Sequence, residues 1–367
     1  MAEKAIRLGG ESTADAIVSA VDSLYPEHTF EDKEFALKHN DDEIAVDTNF
    51  AAQNFWKEAL IRFFNKKSAV LGLVLIVIIV LLAVFGPGMN SYTYSGQDLS
   101  QKNFAPRVPG IEQFGILDGS EKMSTTTGSK SVNAYVEKGK DDVYYWFGSD
   151  LYGRDIWTRT WEGARVSLII AVAAAIIDMV IGMSYGLISG YFGGRVDMVM
   201  QRFLEVANGI PRLVIVTLLL LVLQPGMVTI IFALMLTEWV GMSRIARAEM
   251  LKLKDQEFVL ASRTLGAGSF FIIFKEVLPN IIGPIITQVM FSIPTAIFTE
   301  AFLSFVGLGI PVPQCSLGSL ISELYNSFTT HPYQIIPPIV VMSLLMLSFN
   351  LVADGLREAL DPKMKSM

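Results

Sequence analysis

The stretch SAVLGLVLIVIIVLLAVFG, Ser68 to Gly86, carries no charged side chain and exceeds the ~18 apolar residues that mark a membrane-spanning helix. Hydrocarbon offers the backbone no water, so an isolated span must satisfy its own N–H and C=O groups and is helical. The run begins well beyond the ~15–30-residue window of a cleavable leader, and it is expected to stay as an anchor. The remainder is of similar character: 51% of the 367 residues are hydrophobic and 18% are charged, against about 25% charged in an ordinary soluble domain.

The same criterion predicts five further spans. Between Arg165 and Arg195 the only charge is Asp178. Between Arg212 and Glu238 there is none, and Gln224-Pro225-Gly226 divides that stretch into two spans joined by a tight turn. The residues from Glu276 to Glu300 enclose another run, apolar to about Ile310, and the last runs from Tyr333 to Ala353. The expected fold is therefore an all-α integral membrane protein with six transmembrane helices. Basic residues orient it. Arg62, Lys66 and Lys67, then Arg195 and Arg202, then Arg244 to Lys275, and finally Arg357, Lys363 and Lys365 fall on one side. The short loops at 224–226 and about 311–332 contain no Lys or Arg. The positive-inside rule then places both termini in the cytoplasm.

This orientation divides the chain into an acidic cytoplasmic arm (1–50), an interfacial helix (51–67), the first span (68–87) and an outer segment (88–161). A core of five spans (162–356) and a cytoplasmic tail (357–367) follow. The arm holds twelve acidic and four basic residues and accounts for the net charge of −7, which argues against a nucleic-acid partner. In FWKEALIRFFNKK, Phe55, Trp56, Ala59, Leu60, Phe63 and Phe64 share one helical face, a pattern suited to lipid headgroups. Gly182, Gly186 and Gly190 recur every fourth residue and make a smooth face for close helix packing. Pro211, Pro284 and Pro294 predict kinks. Asp178, Glu238, Glu300 and Asn350 are polar groups in or near spans, where such groups usually face the bundle interior or a wet cavity. They are the candidate pathway-lining residues.

Catalytic chemistry finds little support. One cysteine, Cys315, excludes an intramolecular disulfide, and His28, His39 and His331 are too scattered for a metal cluster. There is no phosphate-binding G-x-x-x-x-G-K-[ST] loop and no H-E-x-x-H or G-x-S-x-G. No catalytic, cofactor-binding or metal-binding residue is expected. What stands out is DQEFVLASRTLGAGSFFIIFKEVLPN, residues 255–280, between two spans on the cytoplasmic side. Asp255 and Glu257 suit a helix start. Phe258, Ala261 and Leu265 form an apolar face, and Gly266 can take the left-handed conformation that ends a helix, with Ala267 and Gly268 continuing the turn. Ser269 is expected to cap a second helix that Pro279 limits or bends. Such a hairpin is either a docking knob or a helix lying on the membrane.

These residues resemble the "EAA" loop of ABC-importer permeases, E-Y-V-x-A-A-R-x-x-G-A-S…I-x-L-P-N. Glu257, Phe258, Val259, Ala261, Arg263, Gly266, Ala267, Leu278, Pro279 and Asn280 match, whereas Leu260 and Ser262 depart from it. WFGSDLYGRDIWTRTWEGARVSL, EAFLSFVGLGIPVPQCSLGSLI and NLVADGLREALDPK are similar to successive segments of oligopeptide and dipeptide permeases. The resemblance implies the type I ABC importer permease fold and a coupling helix seated on an ATPase subunit. It also implies a homologous second permease, two ATPases that bind ATP and Mg, and an extracellular peptide-binding protein. The site residues it implies for coupling are Asp255, Glu257, Phe258, Ala261, Ser262, Arg263, Gly266, Ala267 and Gly268. For Gly148, Asp150, Gly153, Arg154 and Asp155 two readings stand: an Asp–Arg pair that fixes the outer loop, which is favoured, and a contact with the binding protein. A permease for another small solute such as nickel, an ion-driven transporter and a membrane scaffold are the alternatives.

Overall fold

The computed structural model describes residues 55–125 and 128–360, and of the acidic arm only Ser19 and Ser23. The reading of the arm as a cytoplasmic segment, and the tail beyond Leu360, lie outside the described residues.

Helix α1 (Phe55–Asn65) turns at Lys66 into α2 (Lys67–Phe85). The apolar face of α1 splits in two. Ala59 and Phe63 are buried, Phe63 against Ala69, Val352 and Ala359, while Trp56, Leu60 and Phe64 stay exposed. The outer segment then holds an antiparallel hairpin that sequence periodicity did not reveal, β1 (Ser120–Thr125) with β2 (Gly128–Asn133), Ser120 opposite Asn133. Below it Phe104, Tyr135 and Tyr145 form a small aromatic core, and the Tyr135 hydroxyl donates to the Ala105 carbonyl at 2.8 Å.

Helix α3 (Ile156–Ile177) begins earlier than the expected span at 162, because Asp155 caps it. Arg165, inside the helix, turns back and donates to the Ala83 and Val84 carbonyls, each at 3.0 Å. Those are among the last carbonyls of α2, which have no partner within their own helix. A π-helical turn at Asp178–Gly182 leads into α4 (Met183–Phe192). The glycine stripe packs on α8 (Trp239–Leu253) so closely that a Cβ on Gly186 would lie 2.1 Å from the Ser243 carbonyl oxygen.

One expectation needs correction here. The uncharged stretch 212–238 was expected to give two full spans joined at 224–226. Instead α6 (Arg212–Val222) has only 11 residues, about 16 Å of helix against the ~30 Å of a hydrocarbon core. It forms a broken element with α5 (Gly194–Gly209), bent by 80°. Pro211 causes the break: the residue before a proline is driven to extended backbone, and Ile210 has φ −84° and ψ 124°. Across the described residues five helices are long and apolar enough to cross a membrane, six if the bent pair counts as one. After α7 (Met227–Thr237) and α8 come the short helix α9 (Glu257–Thr264), the long α10 (Leu278–Leu303), α11 (Leu317–Leu324) and α12 (Ile336–Leu360).

Pro279 does not limit the helix. Ser269 to Leu308 runs as one element through Pro279, Pro284 and Pro294, with a π-helical turn at Ile272–Val277 ahead of it. Pro279 lies inside this continuous element and has no N–H to give it, and the π-helical turn directly before it is where the hydrogen-bond ladder is rearranged.

Candidate functional site

The hairpin between α8 and α10 is closed by backbone geometry. Gly266 takes φ +84°, its N–H donates to the Arg263 carbonyl at 3.1 Å, and the Ala267 N–H donates to the Ser262 carbonyl at 3.0 Å. This pair of bonds is a Schellman motif, which satisfies carbonyls that the end of α9 leaves open. Glu257 opens α9, after Gln256 and Asp255. Gly268, in extended backbone at ψ 151°, rather than Ser269, precedes the next helical turn, and no side chain caps it. The second arm is thus the continuation of a spanning helix and not a separate one.

Val259 anchors the hairpin in a core with Met250, Ile273 and Ile281. The Ser262 hydroxyl lies 2.6 Å from each Glu276 carboxylate oxygen and ties the two arms together. The Arg263 guanidinium stacks over Tyr191 of α4, 5.2 Å from the ring centre. The face expected from Phe258, Ala261 and Leu265 is turned away from that core. Phe258 is 40% exposed and Leu265 88%, with Leu260 at 46% between them. Apolar surface held outward by a buried anchor is what a docking knob requires.

At the other end of the bundle the loop before α3 folds around two left-handed glycines, Gly148 (φ +85°) and Gly153 (φ +72°). A Cβ on Gly153 would lie 1.8 Å from the Asp98 carbonyl oxygen. Asp150 accepts from the backbone N–H groups of Tyr152 and Arg154 at 2.8 and 3.0 Å, from Arg154 Nε at 2.6 Å and from Arg159 Nη1 at 2.8 Å. Arg159 Nη2 donates to Glu323 of α11 at 2.6 Å, and Arg154 donates to the same carboxylate. Arg154, Arg159 and Asp150 are almost fully buried and Glu323 is half-buried, so the two cations are compensated by the two carboxylates largely out of water. Burial pushes the Glu323 carboxyl up, but Arg159 and Arg154 outweigh it and hold it below the usual glutamate value. Asp155 caps α3 by accepting from the Thr158 N–H at 2.8 Å and from Asn90 at 2.7 Å. Burial raises its carboxyl above the ordinary value despite those bonds. Arg159 and Glu323 were absent from the expected site. Their signals are weak but present: Arg159 follows Asp155 by one helical turn, and Glu323 is the lone carboxylate in the 311–332 loop.

The four candidate pathway residues scatter. Asp178 is buried in the π-helical turn and accepts from Ser292. Glu300 is 0% exposed. It accepts from Ser316 at 2.5 Å, Ser304 at 2.7 Å and Ser167 at 3.3 Å. These hydroxyls come from α3, the end of α10 and the start of α11, so the carboxylate is enclosed within this chain and lines no surface. Glu238, at the junction of α7 and α8, and Asn350 on α12 are half-buried.

Two families match the chain. Residues 182–366 match the binding-protein-dependent transport system inner membrane component, and residues 54–106 match the N-terminal TM domain of oligopeptide transport permease C. The oligopeptide transport system permease protein OppC of Bacillus subtilis (strain 168) is 41% identical over 312 residues, covering 85% of this chain and 91% of the relative. The dipeptide transport system permease protein DppC of the same organism is 38% identical over 335 residues, 91% of this chain and 94% of the relative. Among solved structures, an inward-facing MetNI methionine ABC transporter aligns with a TM-score of 0.47 and 16% identity, over 54% of this chain and 94% of that one. These relatives are permease proteins of transport systems, and the apolar helices agree with a multi-pass bacterial membrane protein. The chain belongs to the binding-protein-dependent transport inner-membrane component family, in the branch of the oligopeptide and dipeptide permeases.

Proposed function

We propose that this chain is one of two permeases of an ATP-driven importer of short peptides, with both termini cytoplasmic. The observation that carries the reading is the hairpin 255–280, whose exposed Phe258, Leu260 and Leu265 are held by a buried Val259 and a glycine turn. Its seat is a groove on an ATPase subunit. ATP and Mg bind to the two ATPases and not to this chain, and their closure moves α9 against the spans. Ser262–Glu276 and Arg263–Tyr191 make the hairpin rigid enough to pass that motion to α10 and α4, biasing one arrangement of the bundle over another. An extracellular binding protein delivers peptide to the outer face, where the Asp150–Arg154 loop is a scaffold.

The assembled complex in proteoliposomes tests this. Binding protein loaded with peptide should stimulate ATP hydrolysis and peptide uptake together. Leu265→Asp should release the ATPase subunits on purification and abolish both activities, since truncating a central apolar anchor typically costs 2 kcal/mol or more. Retention of the ATPases at wild-type stoichiometry by that variant would refute the docking role.

A further inference from the structure

Helix α10 leaves one face uncovered between α8 and α12. The cleft over it has about 1150 Å³, more than the ~300–1,000 Å³ that encloses a drug-sized ligand. Lys252 on α8 and Asn280 on α10 line it close to where the chain enters and leaves the hairpin. Pro284, Gln288 and Phe291 continue the wall along α10, and Arg357 of α12 stands on the far side. Arg357 is exposed and makes no ion pair or hydrogen bond with the described residues, and neither does the Gln288 side chain. Lys252 is paired with Glu249 at 2.5 Å.

Beside the paired Glu249 and Lys252, the lining thus offers an unspent guanidinium on α12 and a side-chain amide and an apolar ring on α10. A carboxylate pairs with the guanidinium, a peptide group pairs with the amide, and side chains fill the remainder. A phospholipid would meet the same cation. However, Gln288 sits two turns along α10 from Asn280, ~12 Å by helical rise, where an acyl chain would leave it unsatisfied. The geometry favours peptide.

We propose that this cleft is a product site. It holds a peptide by its α-carboxylate on Arg357 and by its backbone on Gln288. A peptide seated there touches helices leading to both arms of the hairpin and favours the open arrangement of the cleft. ATP-driven turnover is then slowed by cytoplasmic peptide, because a ligand shifts an equilibrium toward the state it binds better. This rests on the importer reading above.

The test uses the complete complex, the chain with its second permease and ATPases, in nanodiscs without binding protein. A tripeptide and its C-terminal amide are titrated against ATP hydrolysis. The free acid should inhibit at about tenfold lower concentration than the amide, the usual value of a hydrogen bond to a charged group. Arg357→Gln should remove the difference, and Arg357→Lys should keep part of it. Equal action of acid and amide overturns the inference, as does hydrolysis that follows the anionic lipid content instead and loses that dependence in Arg357→Gln. Uptake in proteoliposomes separates the two readings. Its absence removes the importer and this site together, whereas uptake with equal action of acid and amide removes this site alone.

Discussion

Arg159 of α3 and Glu323 of α11 meet at 2.6 Å, across 164 positions of sequence, with the guanidinium fully buried. This pair, shared with Arg154 and Asp150, joins the outer loop to the helix that follows α10. Removing one partner of a buried pair leaves charge without compensation, at ~3–5 kcal/mol. Glu323 keeps 24% of its side-chain surface, which puts Glu323→Ala toward the lower figure. A thermal-shift series in detergent should show a fall in Tm on the order of 10 °C. A loss of only a degree or two would mean that water already screens the pair.

Acid should act on the two carboxylates of this region in opposite senses. Glu323 is held below its ordinary value, so its stabilising contribution is complete above the unfolded value and fades as pH falls through the lower folded one. Asp155 is raised by burial, so its contribution is complete below the unfolded value and is lost as pH rises through the folded one. The Tm advantage of wild type over Glu323→Gln should therefore shrink on acidification below the ordinary glutamate range. The advantage over Asp155→Asn should grow as pH drops toward the ordinary aspartate value. Parallel shifts for both variants would contradict the assignment.

Much of this architecture is legible in the sequence because lipid punishes charge locally: a run such as Ser68–Gly86 declares itself without reference to any neighbour. The turn at Gly266 is legible for a similar reason, since positive φ is a property of one residue. Arg159 and Glu323 are harder to read. Their meaning depends on a contact between distant segments, and a lone carboxylate in a loop looks like any solvated one. The kink at Pro211 is legible because one ring acts on the residue before it, but the shortness of α6 is not, since hydropathy only counts apolar residues. The surroundings of Glu300 are illegible for the same reason as Arg159 and Glu323: three serines, each unremarkable alone, converge on it only in three dimensions.

Gly186 and Gly241 form a matched pair. A Cβ on Gly186 would meet the Ser243 carbonyl oxygen at 2.1 Å, whereas one on Gly241 would meet nothing within 4 Å. Both lie in helices, where Ala gains about 1 kcal/mol over Gly in propensity. Gly241→Ala should hold or raise Tm. Gly186→Ala should lower it by several degrees, because α4 and α8 must separate, overpacking of this kind costing ~1–3 kcal/mol. Equal Tm values would show that the two helices move apart freely.

Glu300 should act through packing alone. Glu300→Gln keeps an acceptor for Ser304 and Ser316 and should retain folding and uptake, with no change in preference between acidic and basic peptides. Glu300→Ala leaves the buried Ser304 hydroxyl without its partner, at ~1–3 kcal/mol, while Ser167 and Ser316 keep their bonds from Leu317 and Ser319, and should reduce the yield of folded protein. A competition assay with lysine-rich and glutamate-rich peptides decides the matter: a changed preference in Glu300→Gln would place the carboxylate on the pathway after all.

The turn at Gly266 separates strain from contact. Its φ of +84° disfavours L side chains, yet a Cβ there would touch nothing within 4 Å, so any substitution acts through the backbone. Left-handed backbone costs an ordinary residue roughly 1–2 kcal/mol and a β-branched one more, while asparagine tolerates it. Uptake per ATP hydrolysed should fall in the order Gly266, Gly266→Asn, Gly266→Ala, Gly266→Val, with Gly266→Val inserted normally but uncoupled. Because Val259 and the Ser262–Glu276 bond still hold the helix itself, the loss should lie in coupling rather than in Tm. If Gly266→Val hydrolysed ATP and took up peptide as the parent does, a rigid turn would not be what carries the motion.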